Sequence, residues 1–294
     1  MTSTNTPIIQ GKEKIASMKV DDTDFDAMNR GEQIRQLEVE GYLVMPNVLD
    51  GNQVRRLKKE LAQAEMDHKS YSIHQTFSVT QPQWVSRAVA ELIGCKPVID
   101  FIQSLTGPDI VFTRGFFQRT HPGSPGISLH TDGQPHGSNL FGYEGSCPRL
   151  LRVFYYLDDL IPERAPFRLV PRSHLSYHAQ ANPYVRYESH PEEITLCLPA
   201  GSAVIIPALL FHGTHPNCDD RPRELIQLGY RPAWAGPIQP MQEWDPDLVS
   251  MAPEIAKPFL QNLNTNGVVW EQQHKPAGMA RKAPGINPSR WTLG

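Results

Sequence analysis

The sequence predicts a mainly β protein, an antiparallel sandwich or barrel with helices ahead of it. Three observations carry this reading. The chain holds 27 prolines in 294 residues, well above the ~5% of average proteins and unfavourable for a helical bundle. Before Pro108 the apolar residues recur at helical spacing. After it they fall in short runs, rich in β-branched and aromatic residues and bounded by Gly or Pro.

The elements follow in order. Residues 1–30 are polar and aperiodic and read as a flexible tail. Residues 32–40 read as a helix stopped by Gly41, and 42–45 as a short strand. Asp50 is placed to cap the next helix, with Gln53 three residues on in a capping-box pattern. Val54, Leu57 and Leu61 give that helix one apolar face. A further helical stretch spans 88–105, restarted by Pro97 and ended by Gly107. Strands are expected near 110–119, 149–157, 167–170, 194–198, 202–207 and 225–231. Residues 235–294, rich in Pro and Trp, read as a wrap or lid. The whole is one domain over 31–294: a helical part to 107, a β core over 108–234, then the C-terminal segment.

Composition excludes several classes. Lys plus Arg number 28 and Asp plus Glu 31, a net charge of −3, which argues against a nucleic-acid binder. No stretch reaches the ~18 apolar residues of a membrane span; the best run, 203–211, is broken by Pro207. The N-terminal region has no apolar core of a secretory signal. Cys95, Cys147, Cys197 and Cys218 form no CxxC pair and read as reduced thiols. A cytoplasmic protein is expected.

The chemistry gathers around histidines. His130 and Asp132 form a His-x-Asp pair, and on a strand residues i and i+2 share a face. Alone the motif is weak. His212 follows an apolar strand and supplies the third member of a two-histidine, one-carboxylate set, which suits non-haem Fe(II) with open positions. Arg223, eleven residues later, can hold a carboxylate in a bidentate fork. His215 is a competing ligand, His174 reads as fixing its own turn, and His136 lies in a loop and reads either as lining a pocket entrance or as solvated surface. Residues 97–256 hold eleven arginines and no lysine. Ion pairs across the sheet account for such usage; an anionic small-molecule substrate is the other reading. Arg119 and Arg152 are candidates to face it, and Tyr156 shares parity with Phe154 and Arg152.

These residues, in this order, resemble the phytanoyl-CoA dioxygenase family of Fe(II)/2-oxoglutarate oxygenases, over roughly residues 33–234. The likeness opens at Leu37-Glu38-Val39-Glu40-Gly41-Tyr42 and takes in His130 and Asp132. It continues through Tyr156-Leu157-Asp158-Asp159 and Leu169-Val170-Pro171-Arg172-Ser173-His174, and closes with His212-Gly213-Thr214, Asn217 and Arg223. The resemblance implies a double-stranded β-helix (jelly-roll, cupin-like) core with flanking helices. It implies that His130, Asp132 and His212 bind Fe(II), and that Arg223, helped by Thr214, binds the far carboxylate of 2-oxoglutarate. Gln118 and Arg119 are the candidates for its keto-acid end. O₂ and a small-molecule substrate complete the reaction, which releases succinate and CO₂.

Two departures stand out. Arg172 replaces the family's glycine before Ser-His, and Arg164-Ala165-Pro166 replaces its Asn-Gly. Related halogenases lack the carboxylate at the position of Asp132, so its presence favours oxygenation. The alternatives are desaturation, cyclisation or epimerisation at the same iron, a cupin-like metalloenzyme without 2-oxoglutarate, and a non-catalytic binding module.

Overall fold

A computed structural model describes residues 18–71, 74–132, 150–176, 189–237 and 240–266. The first helix, α1 (Arg30–Arg35), runs on as a π-helical turn over Gln36–Glu40. It starts two residues earlier than the apolar pattern indicates, because Asn29 and Glu32 form a capping box. Gly41 ends it at φ 87°, and a Cβ there would lie 2.4 Å from His174 Nδ1, so both backbone and space require glycine. Strand β1 (Leu43–Met45) follows. Helix α2 (Gly51–Leu61) is capped by Asp50 and Gln53 as expected, and it buries Leu57 and Leu61.

The next segment corrects the expectation of a helical part whose one strand before residue 107 lies at 42–45. Strands β2 (Asp67–Tyr71) and β3 (His74–Thr80) form a hairpin inside it. Their hydropathy is too polar to announce a strand; what holds β3 is main-chain pairing with β4 (Ile110–Thr120). Helices α3 (Arg87–Leu92) and α4 (Lys96–Thr106) then occupy the predicted helical stretch, with Pro97 in the first turn of α4 and Gly107 at its end.

The β core contains β5 (Ile127–His130), β6 (Leu151–Tyr156), β7 (Phe167–Leu169) and β8 (Ile194–Leu196). It is completed by β9 (Ala203–Pro207), β10 (His212–Thr214) and β11 (Arg223–Pro232). They form two sheets. The seven-stranded sheet has the order β1-β9-β6-β11-β4-β3-β2, and the four-stranded sheet β5-β10-β7-β8. Every strand pairing is antiparallel, which is the jelly-roll arrangement expected.

Residues directly opposite across an antiparallel pair share a face. Arg223, Leu225, Gln227 and Gly229 stand opposite Thr120, Gln118, Phe116 and Arg114 on β4, and Leu225, Gln227 and Gly229 stand opposite Tyr156, Phe154 and Arg152 on β6. This face looks toward the four-stranded sheet, since Phe154 meets Phe167 at 5.3 Å. The other face carries Val153, Tyr155, Ile205, Phe117, Ile226 and Leu228, all fully buried. Helices cover it: Lys58 of α2 reaches Glu224 at 3.3 Å, and the Tyr230 hydroxyl donates to Ile93 O at 3.0 Å. This second layer is one apolar cluster with Leu57, Leu61, Val89, Phe101 and Ile102.

The expected tail is also corrected for residues 18–29. Val20 bridges Thr195 of β8 in parallel, with Asp21 N donating to Thr195 O and Thr195 N to Lys19 O. Phe25 is buried against the edge of Tyr42, whose hydroxyl donates to Asp21 at 3.0 Å. Main-chain bonds to a free strand edge plus one aromatic anchor leave no hydropathy signal. Residues 1–17 lie outside the described residues. So does the C-terminal segment from 267; the part before it wraps the core. There α5 (Pro246–Met251) follows Trp244, which stacks on Phe112 at 5.7 Å, and Arg231 donates to the carbonyls of Pro232, Ala235 and Leu263.

Both departures from the family pattern fall where glycine would serve best. Ala165 sits at φ 44° and Arg172 at φ 63°, in the left-handed region that costs an L-residue about 1–2 kcal/mol. Arg172 is compensated by an ion pair to Glu40 at 2.9 Å; Ala165 has no such partner to offer. Ala165→Gly relieves that strain, but it gives up the chain-entropy advantage of alanine and a fully buried methyl of about 0.8 kcal/mol, so stability is expected to stay within about 1 kcal/mol of wild type. Denaturant unfolding would show a midpoint close to wild type at unchanged slope, and a loss above about 1.5 kcal/mol, the cost of an unstrained buried alanine, would refute the strain argument.

Candidate metal centre

Strands β5 and β10 are neighbours, and their register sets His212 opposite His130. The two rings lie 4.5 Å apart between centroids. The close approach of the strands depends on Gly213, where a Cβ would fall 2.5 Å from Ile127 O. Each ring is oriented by its own strand. His130 Nδ1 bonds to Ser128 O and His212 Nδ1 to Leu210 O, both at 2.9 Å. A carbonyl only accepts, so Nδ1 carries the proton in both rings and each Nε2 keeps its lone pair free.

Asp132 follows β5 directly, its backbone N–H donating to Ala208 O at 2.8 Å. Its Oδ1 lies 3.7 Å from His130 Nε2. Its Oδ2 accepts from Arg152 Nε at 2.7 Å and from Gln227 Nε2 at 3.3 Å. Ligand atoms of His130, Asp132 and His212 all lie within 4.8 Å of one another. That spacing suits one cation with bonds of ~2.0–2.2 Å. Burial alone would raise the Asp132 carboxyl; the neighbouring His212, Arg152 and His130 outweigh it and hold the group well below the usual carboxylate range. Burial, with His130 beside it, pushes His212 down to about 4. Asp132 is thus a carboxylate and His212 a neutral imidazole at neutral pH, the protonation state metal binding requires of them. Phe167, stacked at 5.6 Å, and Phe154 at 5.8 Å wall His212 on its inner side.

Arg223 starts β11 on the same inner face, four residues from Gln227, a span of about 14 Å at ~3.4 Å per residue. Its side chain is 1% exposed. Its Nε and Nη1 have no hydrogen-bond partner among the described residues. Burial pushes its pKa down, and its guanidinium lies over the Tyr156 ring at 5.8 Å. A buried arginine without an acid to meet it is a costly arrangement that an incoming carboxylate repairs. Thr214 is buried two residues from His212, on the same side of β10. Gln118, half-buried, stands opposite Leu225, between the levels of Arg223 and Gln227.

The other candidates divide. Tyr156 lines the interior, with burial pushing its hydroxyl pKa up. Arg152 also faces inward, but it is engaged by Asp132 rather than turned to open space. Arg119 is on the opposite face: it pairs with Glu224 at 2.7 Å, and the expectation that it faces a substrate is corrected by the β4–β11 register. His136 lies outside the described residues. His215 is not with the cluster; its Nε2 meets Thr195 Oγ1 at 2.9 Å. His174 reaches beyond its own turn, bonding Glu38 O at 3.0 Å. The turn itself is held by Ser173, whose Oγ donates to Val170 O and accepts from Phe211 N. Asn217 donates to Thr120 O and Arg221 O, bracing the loop that leads into Arg223. Gln227 was missed by sequence reasoning, although it shares strand parity with Arg223.

Most of the arginines follow the ion-pair reading. Arg164, Arg168 and Arg172 pair with Asp219, Glu193 and Glu40, and Arg231 serves carbonyls. The arginine excess therefore supplies no argument for an anionic substrate.

Solved structures share this architecture at low sequence identity. HygX from Streptomyces hygroscopicus with nickel, 2-oxoglutarate and hygromycin B is 20% identical, covering 75% of this chain and 94% of its own at a TM-score of 0.61. The epimerase SnoN in complex with Fe³⁺, α-ketoglutarate and nogalamycin RO is 20% identical, covering 74% and 92% at 0.60. The carbocyclase SnoK from nogalamycin biosynthesis is 18% identical, covering 79% and 94% at 0.60. No curated protein sequence matches. The family model for phytanoyl-CoA dioxygenase matches residues 37–225, a span that holds His130, Asp132, His212 and Arg223, and the chain belongs to the phytanoyl-CoA dioxygenase (PhyH) family.

Proposed function

We propose that this chain is an Fe(II)- and 2-oxoglutarate-dependent oxygenase of a small molecule. The observation that carries the reading is the pairing of a three-ligand cluster with a buried arginine that forms no ion pair among the described residues, on one interior face. His130 and His212 would hold the metal through Nε2, and Asp132 through Oδ1. Arg223, with Thr214 beside the interior, would take the far carboxylate of 2-oxoglutarate. The separation between Gln227 and Arg223 along β11 leaves room for a five-carbon diacid plus the reach of the arginine side chain. Gln118 is placed along that diacid. The iron, when bound, supplies O₂ activation coupled to decarboxylation of 2-oxoglutarate to succinate and CO₂.

The protein's own residues do the rest. Phe154 and Phe167 keep water from the His212 side, Tyr156 supports the Arg223 guanidinium, and the interior orients the substrate's C–H bond. Asp132 is retained, which favours oxygen insertion over halogenation. A second reading uses the same site for epimerisation or ring closure, as the names SnoN and SnoK indicate for those proteins. Residues 133–146 and 268–291 lie outside the described residues. No described helix is long and apolar enough to cross a membrane; a cytoplasmic location remains the expectation from the sequence.

The primary test is an anaerobic titration of metal-free protein with Fe(II) and 2-oxoglutarate. A visible charge-transfer band should saturate at one of each per chain. Iron bound without any band would put the cupin-like reading first. Arg223→Ala should weaken 2-oxoglutarate binding about 100-fold, the ~2–5 kcal/mol of a buried charge pair; a rise confined to the organic substrate's requirement would move Arg223 to the substrate pocket. Asp132→Ala should abolish succinate release at unchanged circular dichroism, and full activity in that variant would remove Asp132 from the metal set.

A further inference from the structure

Resting on the metal reading above, we propose that Arg152, seated by Gly229 and assisted by Gln227, is a positioning residue that keeps Asp132 on the metal through Oδ1 alone. Asp132 lies at the end of β5 in the small sheet, whereas Arg152 and Gln227 come from β6 and β11 of the large one. Both donate to the same oxygen, Oδ2, at 2.7 and 3.3 Å. The other oxygen is the one 3.7 Å from His130 Nε2. The Asp132 main chain is pinned to Ala208 O, so the carboxylate is held at both ends.

The pairing is compulsory from the arginine's side. Arg152 is 1% exposed, and Asp132 is its one carboxylate partner among the described residues. A buried guanidinium cannot shed its charge, so it must keep that oxygen. The structure makes room for it: at Gly229 a Cβ would lie 2.6 Å from Arg152 Nη1 and 2.8 Å from Thr113 Oγ1. Gly229 has no positive φ, so its lack of a side chain serves space rather than backbone. Arg152 Nη1 itself finds no partner among the described residues, so the bond to Oδ2 is the guanidinium's one side-chain ion pair there.

The consequence concerns coordination sites. A carboxylate freed of both donors can turn Oδ2 onto the cation and occupy two positions in place of one. 2-Oxoglutarate, a two-point ligand, would then compete for a position. The cation's own affinity would not fall, because a nearby positive charge has been removed. Arg152 therefore acts through Asp132, and its effect appears in the co-substrate, not in the metal.

The experiment uses Co(II)-loaded full-length protein, with Co(II) and 2-oxoglutarate affinities read by visible absorption and calorimetry. Arg152→Met should raise the 2-oxoglutarate Kd about tenfold, the low end of losses for outer ligand-orienting groups, with the Co(II) Kd within threefold of wild type or tighter and the d–d spectrum altered. Gly229→Ala, which displaces the guanidinium without removing it, should move both readouts the same way by a smaller factor. Arg152→Lys should recover most of the affinity. Should Arg152→Met not fold, the Gly229→Ala and Arg152→Lys pair decides. An unchanged 2-oxoglutarate Kd overturns the proposal, as does parallel loss of Co(II) and 2-oxoglutarate binding, the mark of a merely structural role. Failure of the metal reading is separately visible: wild type would bind no Co(II), or bind it equally well after His130→Ala, and the proposal would fall with it.

Discussion

The registry of β5 against β10 is the constraint on which the candidate site depends. It sets His130 directly opposite His212, with both imidazoles on one side of the sheet. A slip of one residue would turn His212 to the opposite face and leave a lone imidazole. The register is protected by Gly213, which lets the strands close, and by the Nδ1 bonds that give each ring a single useful tautomer. Asp132 then needs only to follow β5 for the third ligand to arrive.

The second theme is the disposition of buried positive charge. Four arginines on or near the β core are answered by acids of this chain: Arg119 by Glu224, Arg152 by Asp132, Arg164 by Asp219 and Arg168 by Glu193. Arg231 is answered by carbonyls. Against that background Arg223 is distinctive, because its burial is as complete and no acid among the described residues forms an ion pair with it. A ligand carboxylate is the simplest completion. Asp132 and Arg152 also tie the small sheet to the large one, so the same ion pair that orients a ligand oxygen joins the two layers of the fold.

Legibility in the sequence followed the range of the interaction. Asp50 with Gln53, Gly41, Pro97 and Gly107 act within a few residues, and each appears where the pattern placed it. The strands of the core were legible because alternation and bounding turns are local. The β2–β3 hairpin and the docking of residues 18–29 were not. Both are held by main-chain bonds to strands far away in sequence, and main-chain donors look alike in every residue. The two non-glycine residues at positive φ, Ala165 and Arg172, were noticed as departures, but their left-handed conformation is a property of the folded turn.

For the site, residue types and order sufficed to single out His130, Asp132, His212 and Arg223, since a metal set and a buried carboxylate fork demand those chemistries. The sequence also established that Arg152, Phe154 and Tyr156 share a face. It could not establish which face is the interior. Strand parity is relative: Arg119 and Arg152 looked equivalent until pairing with β11 set one against Glu224 outside and the other against Asp132 within. That choice is made by which strands pair and in what register, a decision of the tertiary structure, and it separates a residue that braces the sheet from one that meets the carboxylate of Asp132.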